Sequence, residues 1–362
     1  MISIFSGVKK NRVPGKPTEG IPMKEAIEWA VKGRELPPEM MAAAVRAMMD
    51  GSAAEAQIGA FLSALSIKGE TVGEISAAVG VLRELMTPQP LPDDDVWVDI
   101  VGTGGDGASF FNVSTAAALV VSAGGVKIAK HGNVGVSSSS GSADVLRLAG
   151  LRLDLSPAQL RDCMAATGFG FMFAPNYHSA MRHVAPARRA IGIRTIFNIL
   201  GPLANPARVR HQVLGVYSPA LQEVYAAVGA QLGLERLLVV HAEDGLDELS
   251  VLAPSHLIEL RAGQTKRFTL NPGDFGWHFT DPTPLRVANA EASLALVEQT
   301  LQGTAPAVAS AMVALNAAAL FYLTDREPDW AAGLRRAEEL MRSGAALAHF
   351  RRVIQATKDI TL

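Results

Sequence analysis

The sequence predicts an α/β protein, with a small all-helical domain followed by a larger α/β domain on a mostly parallel central sheet. Three observations predict it. Residues 21–90 repeat apolar side chains at helical spacing. From Asp93 onward, short apolar runs that end in glycine-rich loops alternate with helical stretches, the rhythm of parallel β–α units. The chain has 362 residues, 49% hydrophobic and 19% charged, enough for a large core and for two domains.

Taken in order, residues 1–20, with Pro14, Gly15, Pro17 and Gly20, read as a loosely ordered tail. "MKEAIEWAVKG" opens a helix at Met23, and "PPEMMAAAVRAMMDG" a second, with prolines at its start and Gly51 at its stop. Ser52 with Glu55, and Thr71 with Glu74, fit capping boxes ahead of two more helices, which end near Met86 and Pro88. The stripe Ile58, Phe61, Leu62, Leu65 reads as core or as an oligomer contact. Candidate strands are Val96–Val101, Val126–Ala129, Gln212–Tyr217 and Leu237–His241, with a helix over Pro219–Leu232. "HLIELRAGQTKRFTL" reads as a polar edge hairpin, and Ala/Leu-rich helices follow from Asn289.

A net charge of −2 argues against a general nucleic-acid binder. The one cysteine, Cys163, has no internal partner, which suits a reducing cytosol. "MISIFSGVKK" is too short an apolar stretch for a signal peptide, and no run reaches transmembrane length. These features point to a cytoplasmic protein.

"DIVGTGGDGASFFNVSTAAALVV", from Asp99 to Val121, poses the functional question. Gly102, Gly104 and Gly107 satisfy the G-x-G-x-x-G dinucleotide pattern, but its mechanism fails here. Residues 108–113 open a helix poorly, and the residue about 20 positions on is Lys127 rather than an acid. The better helix start is Ser114–Thr115, with Ser114 as N-cap. Loop amides and the helix start at Asn112–Thr115 still make a cradle for some other phosphate.

Three further clusters bear on that cradle. "KHGNVGVSSSSGSAD" places Lys130, His131 and Asn133 directly after the second strand, with Ser137–Ser140 and Ser142 beyond. "FAPNYHSAMRHVAPARRAIGIRTIFNILGPLANP" holds His178, Arg182, His183, Arg188, Arg189 and Arg194, side chains suited to an anionic aromatic. Adjacent Arg188 and Arg189 cannot both face one site from a helix, and "NILGPLANP" is a turn that either walls a pocket or punctuates the fold. Glu243, Asp244, Asp247 and Glu248 gather after the fourth strand. A phosphate cradle opposite an acidic pair reads as a magnesium–diphosphate site, because Mg²⁺ takes one or two carboxylates and fills its shell with water and phosphate oxygens.

"GTGGDG", "FNVST", "KHGN", "SSSSGSADVL", "GFGFMFAPNYH", "RTIFNILGPLANP" and "DGLDELS" together resemble the ordered motifs of the anthranilate phosphoribosyltransferase family, over about residues 23–345. The resemblance implies a nucleoside phosphorylase-type fold, with a helical domain at 21–90 completed by helices within about 156–200, and an α/β domain at 91–362. It implies transfer of the phosphoribosyl group of PRPP to anthranilate in tryptophan synthesis, by a homodimer joined through the helical domain. An anthranilate synthase amidotransferase is an implied partner.

By motif, PRPP would meet Gly102, Thr103, Gly104, Gly105, Asp106, Asn112, Ser114, Thr115, Lys130, Ser138, Ser139, Ser140 and Ser142. Two Mg²⁺ ions are implied, one on Ser114 and one on Asp247 with Glu248. Anthranilate would lie near Gly102, His131, Asn133, His178 and Arg188. The sequence departs from the family at Val134 and Gly135, where an arginine followed by Ser or Ala usually stands. That departure keeps another aromatic acceptor open; a nucleoside phosphorylase and a non-catalytic nucleic-acid binder of the same fold are the other readings.

Overall fold

The computed structural model describes residues 23–105, 107–135 and 139–360. Four helices come first: α1 (Met23–Val31), α2 (Pro38–Met49), α3 (Glu55–Lys68) and α4 (Val72–Leu85). Thr71 and Glu74 cap α4 reciprocally, as their spacing predicts: Glu74 N–H donates to Thr71 Oγ1 at 3.3 Å and Thr71 N–H to Glu74 Oε2 at 2.9 Å. The expected Ser52–Glu55 box does not form. Ser52 closes the preceding turn, donating its N–H to Asp50 Oδ1 at 2.8 Å, while Gln57 Oε1 takes the N–H of Ala54, the residue before α3. Ile58, Phe61, Leu62 and Leu65 are all buried, so that stripe is core.

The chain then alternates: β1 (Trp97–Gly102), α5 (Val113–Ala123), β2 (Lys127–Gly132), α6 (Ser142–Leu148), α7 (Pro157–Thr167) and β3 (Phe169–Phe173). Short helices α8 (Ala174–Tyr177), α9 (Ala185–Ile191) and α10 (Ile196–Leu200) follow, then β4 (His211–Gly215), α11 (Ala220–Gln231) and β5 (Arg236–Ala242). The hairpin β6 (Ser255–Arg261) and β7 (Gln264–Leu270) precedes α12 (Ala290–Gln302), α13 (Ala307–Leu323), α14 (Trp330–Arg342) and α15 (Ala345–Lys358).

The sheet order is β3-β2-β1-β4-β5-β6-β7. The first five strands are parallel, and β6 and β7 add an antiparallel edge. β1 therefore has β2 on one side and β4 on the other, and the winding direction reverses between β1 and β4. Ligands of open parallel sheets bind at the carboxyl ends of the strands at such a reversal.

Two expectations need correction. Lys130 and His131 lie inside β2 rather than after it, because β3 pairs with β2 from Ile128↔Phe169 to Gly132↔Phe173. β3 itself is absent from the candidate strands. Gly170 breaks its run of large side chains, and the Met164 side chain fills the space where a Cβ would stand.

The core has two main parts. One holds α5 and α13, whose residues are nearly all buried, packed with strand residues such as Val98 and Ile128 and with α14 and α15. The other packs α1–α4 with Val184, Ala187, Ile196, Leu200 and α11 residues against Leu214, Leu237 and Val239 of the sheet. Among the described residues no single helix is long and apolar enough to cross a membrane; α12 and α13 pass that test together, but they meet at 76°.

Candidate active site

The carboxyl end of β1 turns into the glycine loop. Gly102 lies against Asp247 so closely that a Cβ there would overlap the carboxylate. Gly104 and Gly105 take φ of 69° and 79°, the left-handed region that glycine enters freely. Each loop residue is tied down. Thr103 N–H donates to the Gly215 carbonyl at 3.0 Å and its Oγ1 accepts from Tyr217 N–H at 3.2 Å. Gly104 N–H donates to Asp247 Oδ2 at 2.6 Å, and the Gly105 carbonyl accepts from Arg194 Nη2. Asp106 lies outside the described residues.

The helix opposite begins two residues earlier than expected. Asn112 is the N-cap of α5 and Ser114 sits in its first turn. The reason is long-range: Glu248 Oε1 accepts the Ser114 N–H at 3.1 Å, which supplies the first turn with an acceptor from β5's far end. The Asn112 side chain accepts from Ser140 Oγ at 2.5 Å and from Ser293 Oγ at 2.7 Å. Thr115 Oγ1 is buried with no hydrogen-bond partner.

Of the four acids after β5, two face this gap. Glu243 pairs with His256 at 3.0 Å and Asp244 accepts from Ser250 Oγ at 2.6 Å, both turned away. Asp247 is buried and Glu248 half-buried, so this pair is not the exposed acidic loop that a charge run at a strand end suggests. Lys130 stands behind Ser114, its Nζ donating to the Ile100 carbonyl at 2.6 Å and reaching Ser114 Oγ at 3.4 Å. Burial lowers its pKa while Asp99 and Glu248 oppose that change. Gly102, Ser114, Asp247 and Glu248 line one cavity with Ile100 and Val213. Two carboxylates and a hydroxyl are hard oxygen donors that leave most of a coordination shell open, a set that fits Mg²⁺. No group of three or more His, Cys, Asp or Glu placed to hold a metal ion by themselves occurs among the described residues.

The second half of the site lies across β2. The His131 and His178 rings are 5.1 Å apart, and each Nε2 is buried without a partner. Burial, aided by neighbouring His178, pushes the His131 pKa down to about 3 against a hydrogen bond to the Gly201 backbone. Burial likewise brings His178 to about 4, opposed by the Ala204 backbone. Both imidazoles are therefore neutral at pH 7. The "NILGPLANP" turn walls this region rather than merely punctuating the chain. Its Asn205 donates to Asp99 Oδ2 at 2.8 Å and to the Ala129 carbonyl at 2.9 Å. Asp99, buried in mid-strand, also accepts the His131 N–H at 3.3 Å. Burial raises the Asp99 pKa to about 6 against the pull of Lys130.

Arg188 is half-buried, its guanidinium 5.5 Å from the Phe197 ring, while Arg189 is exposed, as their adjacency requires. Arg182 is exposed and donates to His183 at 3.2 Å. In the serine loop, the Asn133 carbonyl accepts from Ala143 N–H at 3.1 Å and Ser142 Oγ at 3.4 Å, and Ser139 Oγ is buried without a partner. Val134 packs on the large core, and Asp144 accepts the N–H groups of Gly135 and Gly141 at 2.9 and 3.0 Å. Ser137 and Ser138 lie outside the described residues. Asp99 and Asn205 are not among the site residues expected from sequence; a carboxylate in the middle of an apolar strand is the signal that marks Asp99.

The glycosyl transferase family models match the chain in two parts, the helical bundle domain over residues 24–86 and the a/b domain over 94–347. The anthranilate phosphoribosyltransferase of Chromohalobacter salexigens is 48% identical over 336 residues, 93% of this chain and 97% of that protein. The crystal structure of the Thermus thermophilus enzyme of that name superposes with a TM-score of 0.85 at 39% identity, over 92% of this chain and 99% of that one. The Saccharomyces cerevisiae enzyme, in complex with PRPP and Mg, superposes with a TM-score of 0.84 at 27% identity, over 93% of this chain and 98% of that one.

Proposed function

The chain belongs to the anthranilate phosphoribosyltransferase family, and on that premise we propose that it transfers the 5-phosphoribosyl group of PRPP to the amine of anthranilate. The products are N-(5-phosphoribosyl)anthranilate and pyrophosphate, a step of tryptophan biosynthesis. The observation that carries the reading is the meeting of the glycine loop, the start of α5 and the Asp247–Glu248 pair at the carboxyl end of β1.

PRPP binds with its diphosphate between the 102–105 loop and the first turn of α5. There glycine backbone, which lets an anion approach closely, and a helix N-terminus favour an anion, and Lys130 adds a buried positive charge. Asn112, Thr115, Ser139, Ser140 and Ser142 supply polar groups around it. Asp247, Glu248 and Ser114 would hold Mg²⁺, two ions in this reading, and the metal would supply positive charge to the leaving pyrophosphate. By holding the Gly104 and Ser114 amides, the two acids keep loop and helix at one spacing, so the site is organised before the donor arrives.

Anthranilate lies across β2, near Asn133 and Gly102, with its carboxylate toward Arg188 and its ring beside His131 and His178. Its amine is already neutral at pH 7 and attacks the ribose without a general base. Histidines held neutral suit that mechanism, since they neither take up a proton nor repel the developing oxocarbenium charge. Rate then comes from alignment of two bound substrates and from stabilising the departing diphosphate.

We place the contact of a homodimer on the helical layer, where Val31 and Ile67 are 70% and 87% exposed. The chain works in the cytoplasm, where the pathway's anthranilate synthase amidotransferase is a fitting partner. The testing experiment follows loss of anthranilate fluorescence with PRPP and Mg²⁺ against a panel of other aromatic acids. Anthranilate is expected to be the fastest acceptor. A faster acid would show that Val134 and Gly135 mark a different substrate.

A further inference from the structure

The glycine loop carries no basic side chain of its own, yet one reaches it from the helical layer. Arg194 lies in the link between α9 and α10 and donates through Nη2 to the Gly105 carbonyl. Its guanidinium carbon is 4.1 Å from the centroid of the Tyr217 ring. Its own carbonyl accepts from Ser66 Oγ of α3 at 3.3 Å. Tyr217 is bound to the same loop, since its N–H donates to Thr103 Oγ1 at 3.2 Å. These contacts close a circuit from Thr103 through Tyr217 and Arg194 back to Gly105. A Cβ on Gly105 would run into the guanidinium, so the loop approaches the arginine more closely than any other residue would allow.

Arg194 is exposed, and its side chain meets the Gly105 carbonyl and the Tyr217 ring. A surface arginine gains little from one carbonyl unless its flat face is held as well. Here Tyr217 holds that face.

We propose that Arg194 is a positioning residue for the phosphoribosyl donor: stacked on Tyr217, it latches the Gly105 carbonyl and fixes the glycine loop to α3. The kinetic part rests on the transfer reading above; the latch itself does not.

Two measurements separate these. In the ligand-free protein, hydrogen exchange of the 103–105 amides should quicken by about tenfold in Arg194→Ala and also in Tyr217→Leu, with exchange elsewhere unchanged. In steady-state kinetics, Arg194→Ala should raise the PRPP KM by about tenfold while kcat and the anthranilate KM stay within about twofold. Arg194→Lys should restore neither, because an ammonium lacks the plane that stacks and the fork that directs the donor. Unchanged loop exchange in Arg194→Ala would overturn the latch. Faster exchange with an unchanged PRPP KM would overturn its role toward the donor, and full recovery by lysine would reduce that role to charge alone. If the wild type transfers nothing to anthranilate, the transfer reading fails while the exchange arm still decides the latch.

Discussion

Asp247 accepts the Gly104 N–H on its Oδ2 at 2.6 Å, so a buried acid beyond β5 sets the position of the glycine loop beyond β1. Asp247→Asn keeps an oxygen at that place but removes its charge. Turnover should fall by at least about a hundredfold, roughly 2.7 kcal/mol of transition-state stabilisation. Because the acid is buried and hydrogen-bonded, folding stability should fall too, by about 1.5–3 kcal/mol for a charge-assisted bond. Urea titration and steady-state rates check the two losses separately.

Gly102→Ala attacks the same contact from the other side. Its Cβ would displace the Asp247 carboxylate, one of the proposed oxygen donors to magnesium. PRPP with Mg²⁺ should raise the wild-type melting temperature, since binding to the folded state stabilises it. The variant should show no such rise. NAD should shift neither protein, because the loop leads into α5 through residues that offer no ribose-binding acid.

Arg188→Ala tests the acceptor side. On the proposed pairing of Arg188 with the anthranilate carboxylate, losing a charge-assisted pair of about 1.5–3 kcal/mol should raise the anthranilate KM by tenfold or more and leave the PRPP KM nearly unchanged. An equal rise for both substrates would show that the stacking of Arg188 on Phe197 matters to the fold rather than to the acceptor.

Stability should fall as pH drops from about 6.5 toward 4, chiefly through three buried histidines. His131, His178 and His349 have pKa values of about 3, 4 and 4, each lowered first by burial. In that window the unfolded chain binds protons that the folded chain refuses, so acidification favours unfolding. Asp99 works the opposite way: its pKa is raised to about 6, so the folded state takes up a proton between about 6 and 4 that the unfolded state lacks. His211 is also lowered and Glu70 also raised by burial, so four histidines against two acids leave a net loss. His349 bridges Ser122 at 2.8 Å and Arg352 at 2.7 Å, far from the site. His349→Gln should remove about one proton's worth of the slope in urea unfolding measured from pH 7 to 4. An unchanged slope would show that His349 titrates normally in the folded protein.

The parts of the fold that were legible in sequence are those with local signals. β1, β2, β4 and β5 carry apolar β-branched runs, and Thr71 and Glu74 cap α4 within one turn. β3 was not legible, since its phenylalanines alternate with Gly170, and the true extent of β2 depended on it. The candidate site follows the same rule. The glycine loop, Lys130 and the acidic pair were visible as types and spacings. The N-cap assignment failed because the acceptor for Ser114 comes from Glu248, 134 positions away. Asp99 shows in sequence only as an acid inside an apolar strand, and Asn205 carries no local signal; their pairing appears once the turn lies over β2.

The central position of β1 has a consequence for how the protein is made. β1 and its neighbour β2 leave the ribosome early, but the register that pairs Asp99 with Gln212 needs a strand synthesised on the order of a hundred residues later. Until then one edge of β1 has no partner, and its backbone N–H and C=O groups stay unpaired. A nascent chain in that state is open to pairing with another copy. Slow translation between β2 and β4 therefore lengthens the interval of exposure, and chaperone capture of the emerging chain should peak there.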